Sequence, residues 1–362
     1  MHRTIAVALS GGIDSLVTAA MLRERGNNLI GMHFINGYEA EFDDAGGQSS
    51  KQADITSVME RVCTRLIRMT DPLRIPIHIV DLRSEFQCQV VEYFIQTYQS
   101  GRTPNPCLIC NPAIKYGILL KKARSLGASH LATGHYARIR TASNGRMQLF
   151  RGRDPQKEQS YFLARLTQDQ LASAVMPLGD YTKDQTRRIA REKGLHPAAS
   201  QESQDICFIR RGGYSHFLKR QPGFKSHPGP IEDTEGNLIG QHNGLHQYTI
   251  GQRRGINCPA SEPYYVVRLD TERNCLIVGF HHHLRTGSFR VRQINWIAEK
   301  PSAPLDITVR IRYRHQAVGA RLLPLDNMCA EVVFKAPQSA VSPGQGAVFY
   351  QGDQVLGGGW IQ

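Results

Sequence analysis

The stretch Ala8-Leu9-Ser10-Gly11-Gly12-Ile13-Asp14-Ser15 constrains this chain more than any other. An unbroken apolar segment, Ile5 to Leu9, runs into it, and Ile13, Leu16, Val17, Ala20 and Met21 follow at helical spacing. That pattern predicts a buried strand, a tight Gly-rich turn and an amphipathic helix. Such a turn aims backbone N–H groups and a helix N-terminus at one point, which suits phosphate. Ser10 and Ser15 add hydroxyls, and Asp14 is a candidate ligand for Mg²⁺ on phosphate oxygens, because hard cations take oxygen. The chain has no G-x-x-x-x-G-K-[ST] here, and the turn lacks the third glycine of G-x-G-x-x-G, so the two commonest phosphate loops are excluded.

Strand and helix patterns then alternate. Asn28 to Phe34, Ile77 to Val80 and His130 to Thr133 read as strands. Ile55, Val58, Met59, Val62, Leu66 and Ile67 mark one helix, Phe86 to Ile95 a second and Ile114 to Leu126 a third. This predicts a parallel α/β sheet, whose ligands bind beyond the C-terminal strand ends. Gly37 to Gln52 reads as a polar loop, and two X-Pro steps make Ser100 to Pro112 an extended, stiff one. Asn144-Gly145 predicts a hairpin turn, and Thr182-x-x-Gln185 a capping box. Residues 210 to about 265 read as a small, strand-poor or twisted β region; from about 266 short strands at close spacing predict a small barrel or sandwich. In Ile307 to Arg314, alternation would put Arg310, Arg312 and Arg314 on one face, for solvent or for a phosphate backbone.

No apolar run approaches a membrane span, and no signal-peptide pattern precedes the first strand, so a cytoplasmic protein is expected. The net charge of +13 is spread along the chain: 26 basic against 18 acidic residues in 1–200, and 18 against 13 in 201–362. That balance suits a polyanionic partner such as RNA. Of eight cysteines most read as core thiols, but Cys107, Cys110 and Cys207 fall in polar segments. The run His281-His282-His283 reads as a surface loop, since three consecutive imidazoles do not converge on one ion.

Ser10-Gly-Gly-Ile-Asp-Ser15 resembles the PP-loop of the ATP pyrophosphatase superfamily. Gly101-Arg-Thr-Pro-Asn-Pro106, Cys110-Asn111, Ala132-Thr-Gly-His-Tyr136, Lys157-Glu-Gln-Ser-Tyr-Phe-Leu163, Ile206-Cys-Phe-Ile209, Thr249-Ile-Gly-Gln-Arg-Arg-Gly255, Arg312-Tyr-Arg314 and Ser342-Pro-Gly-Gln345 follow in order. Together they resemble the tRNA-specific 2-thiouridylases, the MnmA family, almost end to end. The resemblance implies an α/β N-terminal PP-loop domain (parallel sheet, Rossmann-like) at 1–205, a small central tRNA-binding domain at 206–268 and a C-terminal β-barrel at 269–362. It implies ATP-dependent adenylation of the C2 oxygen of the tRNA wobble uridine, followed by sulfur transfer. By the same resemblance Cys207 carries a persulfide and Cys110 is the partner nucleophile, with a disulfide between them as an end-point. Ala8, Leu9, Ser10, Gly11, Gly12, Ile13, Asp14, Ser15, Phe34 and Gly134 match nucleotide contacts. Asn105, Pro106 and Cys107 match the loop that meets the flipped-out base. His135, Lys157, Glu158, Gln159, Arg312, Tyr313 and Gln345 match tRNA contacts. The implied partners are the Lys, Glu and Gln tRNA isoacceptors and a sulfur-donor protein (a relay protein or a cysteine desulfurase), and a monomer is expected.

Two positions depart from the family pattern. Phe34 stands where members often have Met, a contact made largely through backbone. Cys107 stands where many members have Asp, which creates Cys107-x-x-Cys110 with Cys207 as a third thiolate. Three thiolates would suit a [4Fe–4S] cluster with one open iron that holds hydrosulfide; the alternative is a persulfide relay with Cys107 as bystander.

Overall fold

The apolar runs near the N-terminus become parallel strands because helices cover both faces of the sheet they build. The computed structural model describes residues 3–39, 55–197, 206–209 and 212–362. Much of the polar loop expected at Gly37 to Gln52 therefore lies outside the described residues. The chain divides into two units. One takes Met1–Val90, Cys107–Phe208 and Asp353–Val355; the other takes Val91–Pro106, Ile209–Gly352 and Leu356–Gln362.

The strands of the first unit are β1 (Thr4–Ala8), β2 (Asn28–Ile35), β3 (Ile77–Asp81), β4 (His130–Ala132), β5 (Ala137–Thr141), β6 (Met147–Arg151) and β7 (Ala174–Val175). A parallel sheet runs β3-β2-β1-β4-β7, with Val7 paired to Gly31 on one side and Ala132 on the other. Ala8, Ile35, Asp81 and Ala132 thus end on one edge, the edge where such sheets bind ligands. Helix α1 (Ile13–Glu24) follows β1 directly. Every residue from Ser15 to Leu22 is buried, so α1 is covered on all sides rather than amphipathic as expected. It packs against the sheet and against the helix Lys183–Glu192. In α2 (Ile55–Thr70) the buried stripe is Val58, Val62, Leu66 and Met69, while Ile67 is exposed, contrary to its place in the predicted apolar face. β5 and β6 form the expected hairpin, with Gly145 at positive φ in its turn. Gln354 and Val355 add to it by pairing with Phe150 and Leu149.

The second unit holds β8 (Gly229–Glu232), β9 (Leu238–His242), β10 (Tyr265–Asp270) and β11 (Cys275–Gly279) in a sheet ordered β10-β11-β8-β9. Of the small β region expected at 210 to about 265, the described residues thus supply β8 and β9, with β10 starting at its end. The expected boundary at 268/269 falls inside β10, whose pairing with β11 ties both strands to this sheet. The first unit leaves Val91–Pro106 of the expected 1–205 domain to the second unit and runs on to Phe208.

The strands β12 (Arg285–Trp296), β13 (Leu305–Arg310), β14 (Val318–Pro324), β15 (Ala330–Ser339), β16 (Gly346–Gln351) and β17 (Gln354–Ile361) form a barrel ordered β12-β15-β14-β13-β16-β17. β12 pairs back onto β17 and closes it. Phe289, Val291, Val309, Leu322, Val332 and Phe349 fill its interior. The three-arginine face is not realised. β13 ends at Arg310, which points its guanidinium into the next turn, 3.2 Å from the His315 carbonyl and stacked on Tyr313. Arg312 and Arg314 lie beyond the strand and are exposed.

Candidate active site

Gly11 makes the turn after β1 at φ +81°, a conformation that costs glycine least. Gly12 caps α1 with no side-chain hydrogen bond, so the first backbone N–H groups of this 12-residue helix have no capping acceptor. The serines brace the loop from within. Ser15 Oγ donates to the Gly12 carbonyl at 2.8 Å, and Ser10 Oγ accepts from the Gly12 N–H at 3.4 Å. Ser10 is exposed at the mouth and Ser15 is buried. An uncapped helix start behind a Gly-Gly turn fits the phosphates of ATP.

Gly134 follows β4 and lies against the same turn. A Cβ there would sit 2.8 Å from Asp14 Cβ and 3.1 Å from the Ser15 nitrogen. Its match to a nucleotide contact thus coincides with a packing demand on the loop itself. Phe34 near the end of β2 is half-buried against Phe86, ring centroids 6.4 Å apart.

Asp14 does not stand free for a metal ion. Lys183 Nζ donates to both of its oxygens, at 2.8 and 2.9 Å, and the Tyr136 hydroxyl donates to Oδ1 at 2.8 Å. The Lys183 ammonium also lies 5.9 Å above the Tyr136 ring. As arranged, the Asp14 carboxylate does not fit the Mg²⁺ ligand expected of it. Lys183 opens the helix Lys183–Glu192, which Thr182 and Gln185 start with the predicted capping box. Sequence reasoning found only the capping box of that helix; a lysine just inside it was the available signal.

Cys107 and Cys110 are not in a loop. The X-Pro steps keep the chain extended through Pro106, and a helical run then begins at Cys107. Cys107–Cys110 is α-helical, Asn111–Leu119 winds as a π-helix and Leu120–Ser125 returns to α. Pro112 cannot donate a backbone hydrogen bond, and the wider winding spans it. The Pro112 carbonyl accepts from Gln170 Nε2 at 2.7 Å, and Asn111 Nδ2 donates to the Phe162 carbonyl at 3.0 Å.

Cys110 is buried, Cys107 half-buried and Cys207 exposed. Cys207 is held by its neighbour: Phe208 is buried against Phe86 and Tyr38, at 5.6 and 5.8 Å between ring centroids. Burial pushes the Cys107 thiol up to about 11, and the nearby Cys207 adds to the rise. Burial pushes Cys110 up to about 12, Lys115 opposing it and Cys207 and Cys107 reinforcing it. Crowding around Cys207 raises that thiol as well, despite its exposed surface, and Lys115 again opposes. The three sulfurs are thus close enough to feel one another's charge, with one lysine acting on all three. Among the described residues, however, no group of three or more His, Cys, Asp or Glu is arranged to hold a metal ion. The residues as placed do not fit a [4Fe–4S] cluster.

Residues 133–135 join the two halves of the site. Gly134 abuts Asp14, while the Thr133 hydroxyl is 2.8 Å from Tyr116 Oη and 2.7 Å from His135 Nδ1. Tyr116 belongs to the π-helical run that follows Cys110. His135, matched to a tRNA contact, is buried, and burial with the Lys115 charge holds it neutral, well below the usual histidine range.

The other matched positions have local partners. Glu158 is buried and accepts from the Ser160 N–H at 2.5 Å. Gln159 Oε1 accepts from the Tyr136 N–H at 3.1 Å, and Lys157 is half-buried. In the second unit Gln345 Nε2 donates to the Pro104 carbonyl at 2.8 Å and the Thr103 carbonyl at 3.3 Å. Asn105, in the same segment, is buried and its N–H donates to Tyr93 Oη at 3.2 Å; Pro106 is also buried. Tyr313 sits under the Arg310 guanidinium at 5.6 Å. The His281–Leu284 turn is a 3₁₀ segment whose His283 Nδ1 accepts from the Phe280 N–H, consistent with a surface turn.

A parallel sheet with a Gly-Gly turn and a helix N-terminus after its first strand, followed by two β domains, defines a HUP-type α/β protein with appended barrels. Residues 3–211 match the family model described as tRNA methyl transferase HUP domain, 215–280 the tRNA methyl transferase PRC-barrel domain and 286–361 the aminomethyltransferase beta-barrel domain. The chain is 50% identical to the tRNA-specific 2-thiouridylase MnmA of Desulfosudis oleivorans, over 99% of this chain and 94% of that protein. It is 44% identical to the protein of the same name from Syntrophotalea carbinolica, over 99% of both. A solved structure, the U34-tRNA thiolase NcsA from Methanococcus maripaludis with its [4Fe–4S] cluster, aligns with 57% of this chain and 61% of its own at 21% identity. Its TM-score of 0.33 is too slight a likeness to bear on this chain. The chain belongs to the tRNA-specific 2-thiouridylase (MnmA) family.

Proposed function

We propose that this protein replaces the C2 oxygen of the wobble uridine, U34, in tRNA with sulfur, at the expense of ATP, and that Cys207 and Cys110 carry the sulfur chemistry. The observation that carries this reading is the 133–135 segment. It touches the phosphate turn through Gly134 and the cysteine-bearing helical run through Thr133 and Tyr116. One short strand end thus joins a site for activating an oxygen to a site for delivering sulfur. Methyl transfer from an already activated donor would give neither the phosphate turn nor the thiols a task.

The α1 N–H groups and the Ser10 hydroxyl bind the triphosphate. The uridine C2 oxygen attacks the α-phosphorus and pyrophosphate leaves, which turns a poor leaving group into AMP. The terminal sulfur of a Cys207 persulfide then attacks C2 and AMP departs. Cys110, as thiolate, attacks Cys207 Sγ; the S–S bond to the uridine sulfur breaks and 2-thiouridine is released. The sulfane sulfur is reduced as the two thiols are oxidised to a disulfide, and an external dithiol reduces them again. The raised thiol values mean that the resting site holds its cysteines protonated, and Lys115 is the charge that favours the thiolates. Asn105, Pro106 and Cys107 meet the flipped base in this reading, and Lys157, Arg312, Tyr313 and Gln345 contact tRNA. The substrates are the Lys, Glu and Gln isoacceptors, sulfur comes from a persulfide-donating protein, and the protein works as a cytoplasmic monomer.

The test is a reconstituted reaction with ATP, unmodified tRNA and a persulfide donor, read by nucleoside mass spectrometry and pyrophosphate release. Cys110→Ser and Cys207→Ser should give no 2-thiouridine, whereas Cys107→Ser should retain it. Loss of activity in Cys107→Ser, together with about four irons per chain after anaerobic purification, would replace the persulfide route with the cluster. Pyrophosphate release that ignores tRNA would sink the assignment.

A further inference from the structure

The pair Lys183–Asp14 places an anion at the one turn that must admit a polyanion. The Asp14 side chain is 32% exposed, while the Lys183 side chain that holds it is 6% exposed. The ammonium bonds both carboxylate oxygens, and Tyr136 donates a third hydrogen bond to the same group. Lys183 is itself fixed, since its backbone N–H donates to Asp154 Oδ2 at 2.9 Å. A bare carboxylate in the first turn of α1 would repel a triphosphate bound to the adjoining N–H groups. With the lysine on both oxygens that field is largely cancelled, and the helix N-terminus is left as the dominant charge at the turn.

We propose that Lys183 is a positioning residue for ATP: by neutralising Asp14, it makes the phosphate turn acceptable to a triphosphate. Asp14 in turn anchors Lys183 and Tyr136, so it braces the turn rather than ligating a cation. The inference rests on the reading of this turn as the ATP site.

Titration calorimetry of the full-length protein with ATP, with and without Mg²⁺, tests it, alongside the Michaelis constant for ATP in tRNA-dependent pyrophosphate release. If wild-type protein binds no ATP, the ATP-site reading itself fails. If it does, Lys183→Met should weaken ATP binding about tenfold or more, appearing as a raised KM with kcat changed less, and Lys183→Arg should recover most of it. Asp14→Asn removes the anion together with its brace on Lys183 and Tyr136, and its ATP binding should keep the wild-type dependence on Mg²⁺. Combining Asp14→Asn with Lys183→Met should return binding to within a few-fold of wild type; this neutral pair also serves if Lys183→Met alone does not fold. Weakened, Mg²⁺-insensitive binding in Asp14→Asn would instead make Asp14 a metal ligand and overturn the proposal. Unchanged ATP binding in folded Lys183→Met would overturn it as well.

Discussion

Gly134→Ala tests how closely β4 must approach the phosphate turn. The new Cβ would lie 2.8 Å from Asp14 Cβ, 2.9 Å from the Asp14 carbonyl carbon and 3.1 Å from the Ser15 nitrogen. Carbon atoms settle at about 3.5–4.0 Å, so the methyl is too close by roughly 0.7 Å. Two of the three neighbours are backbone atoms in the first turn of α1, and they cannot rotate aside. Overpacking of this kind costs about 1–3 kcal/mol. Alanine's stiffening of the unfolded chain returns about 0.4–1 kcal/mol, which leaves a net loss of about 1–2 kcal/mol. The relieving movement also pushes the α1 N–H groups off their line to the phosphates. Weakening one charge-assisted hydrogen bond by about 1.4 kcal/mol lowers ATP affinity about tenfold. Urea midpoints and ATP calorimetry measure both effects. Gly287→Ala in β12 is the control, because nothing lies within 4 Å of its Cβ position and the glycine is not at positive φ. Equal midpoints and equal ATP affinity for Gly134→Ala and wild type would refute the close-approach argument.

Three further outcomes are expected. Iodoacetamide at pH 7 should label exposed Cys207 ahead of half-buried Cys107 and buried Cys110; with Cys110 pushed up to about 12, its labelling rate should climb about tenfold per pH unit from 7 to 9, as peptide mass spectrometry would show, and a plateau below pH 8 would contradict the raised value. Thr182→Ala removes the capping box that starts the Lys183 helix and should cost about 1 kcal/mol, read as a lower melting temperature, with Thr182→Ser restoring most of it. Gln345→Ala frees the Thr103 and Pro104 carbonyls and should speed amide exchange at Arg102, Thr103 and Asn105 while destabilising the second unit by about 1 kcal/mol; unchanged exchange there would mean that Gln345 does not hold this segment.

The local alphabet of this protein was legible without coordinates. Ser10 to Ser15 set a tight turn between an apolar strand and a helix, because Gly11 takes a positive φ that glycine adopts at least cost. Thr182 and Gln185 set a helix start, and Asn144-Gly145 a hairpin, since each rests on a hydrogen bond or a φ preference spanning a few residues. The family resemblance rests on such short stretches and on their order. Long-range contact decided the rest. Gly357-Gly358-Gly359 lies inside β17, where side chains at Gly357 and Gly359 would strike the Asn295 and Arg292 carbonyls of β12. Closing the barrel needs bare backbone there, which no local propensity reports. The boundary expected at 268/269 runs through β10 and parts it from β11, because a strand's partner is not written in its own sequence. Cys107 and Cys110 moved from loop to helix because the π winding, braced by Gln170, spans Pro112. The meaning of Asp14 changed most. Alone it reads as a metal ligand; folded, it meets a lysine 169 residues away in sequence. A carboxylate's role depends on which charge the fold brings to it, and that is set by three-dimensional packing rather than by neighbours along the chain.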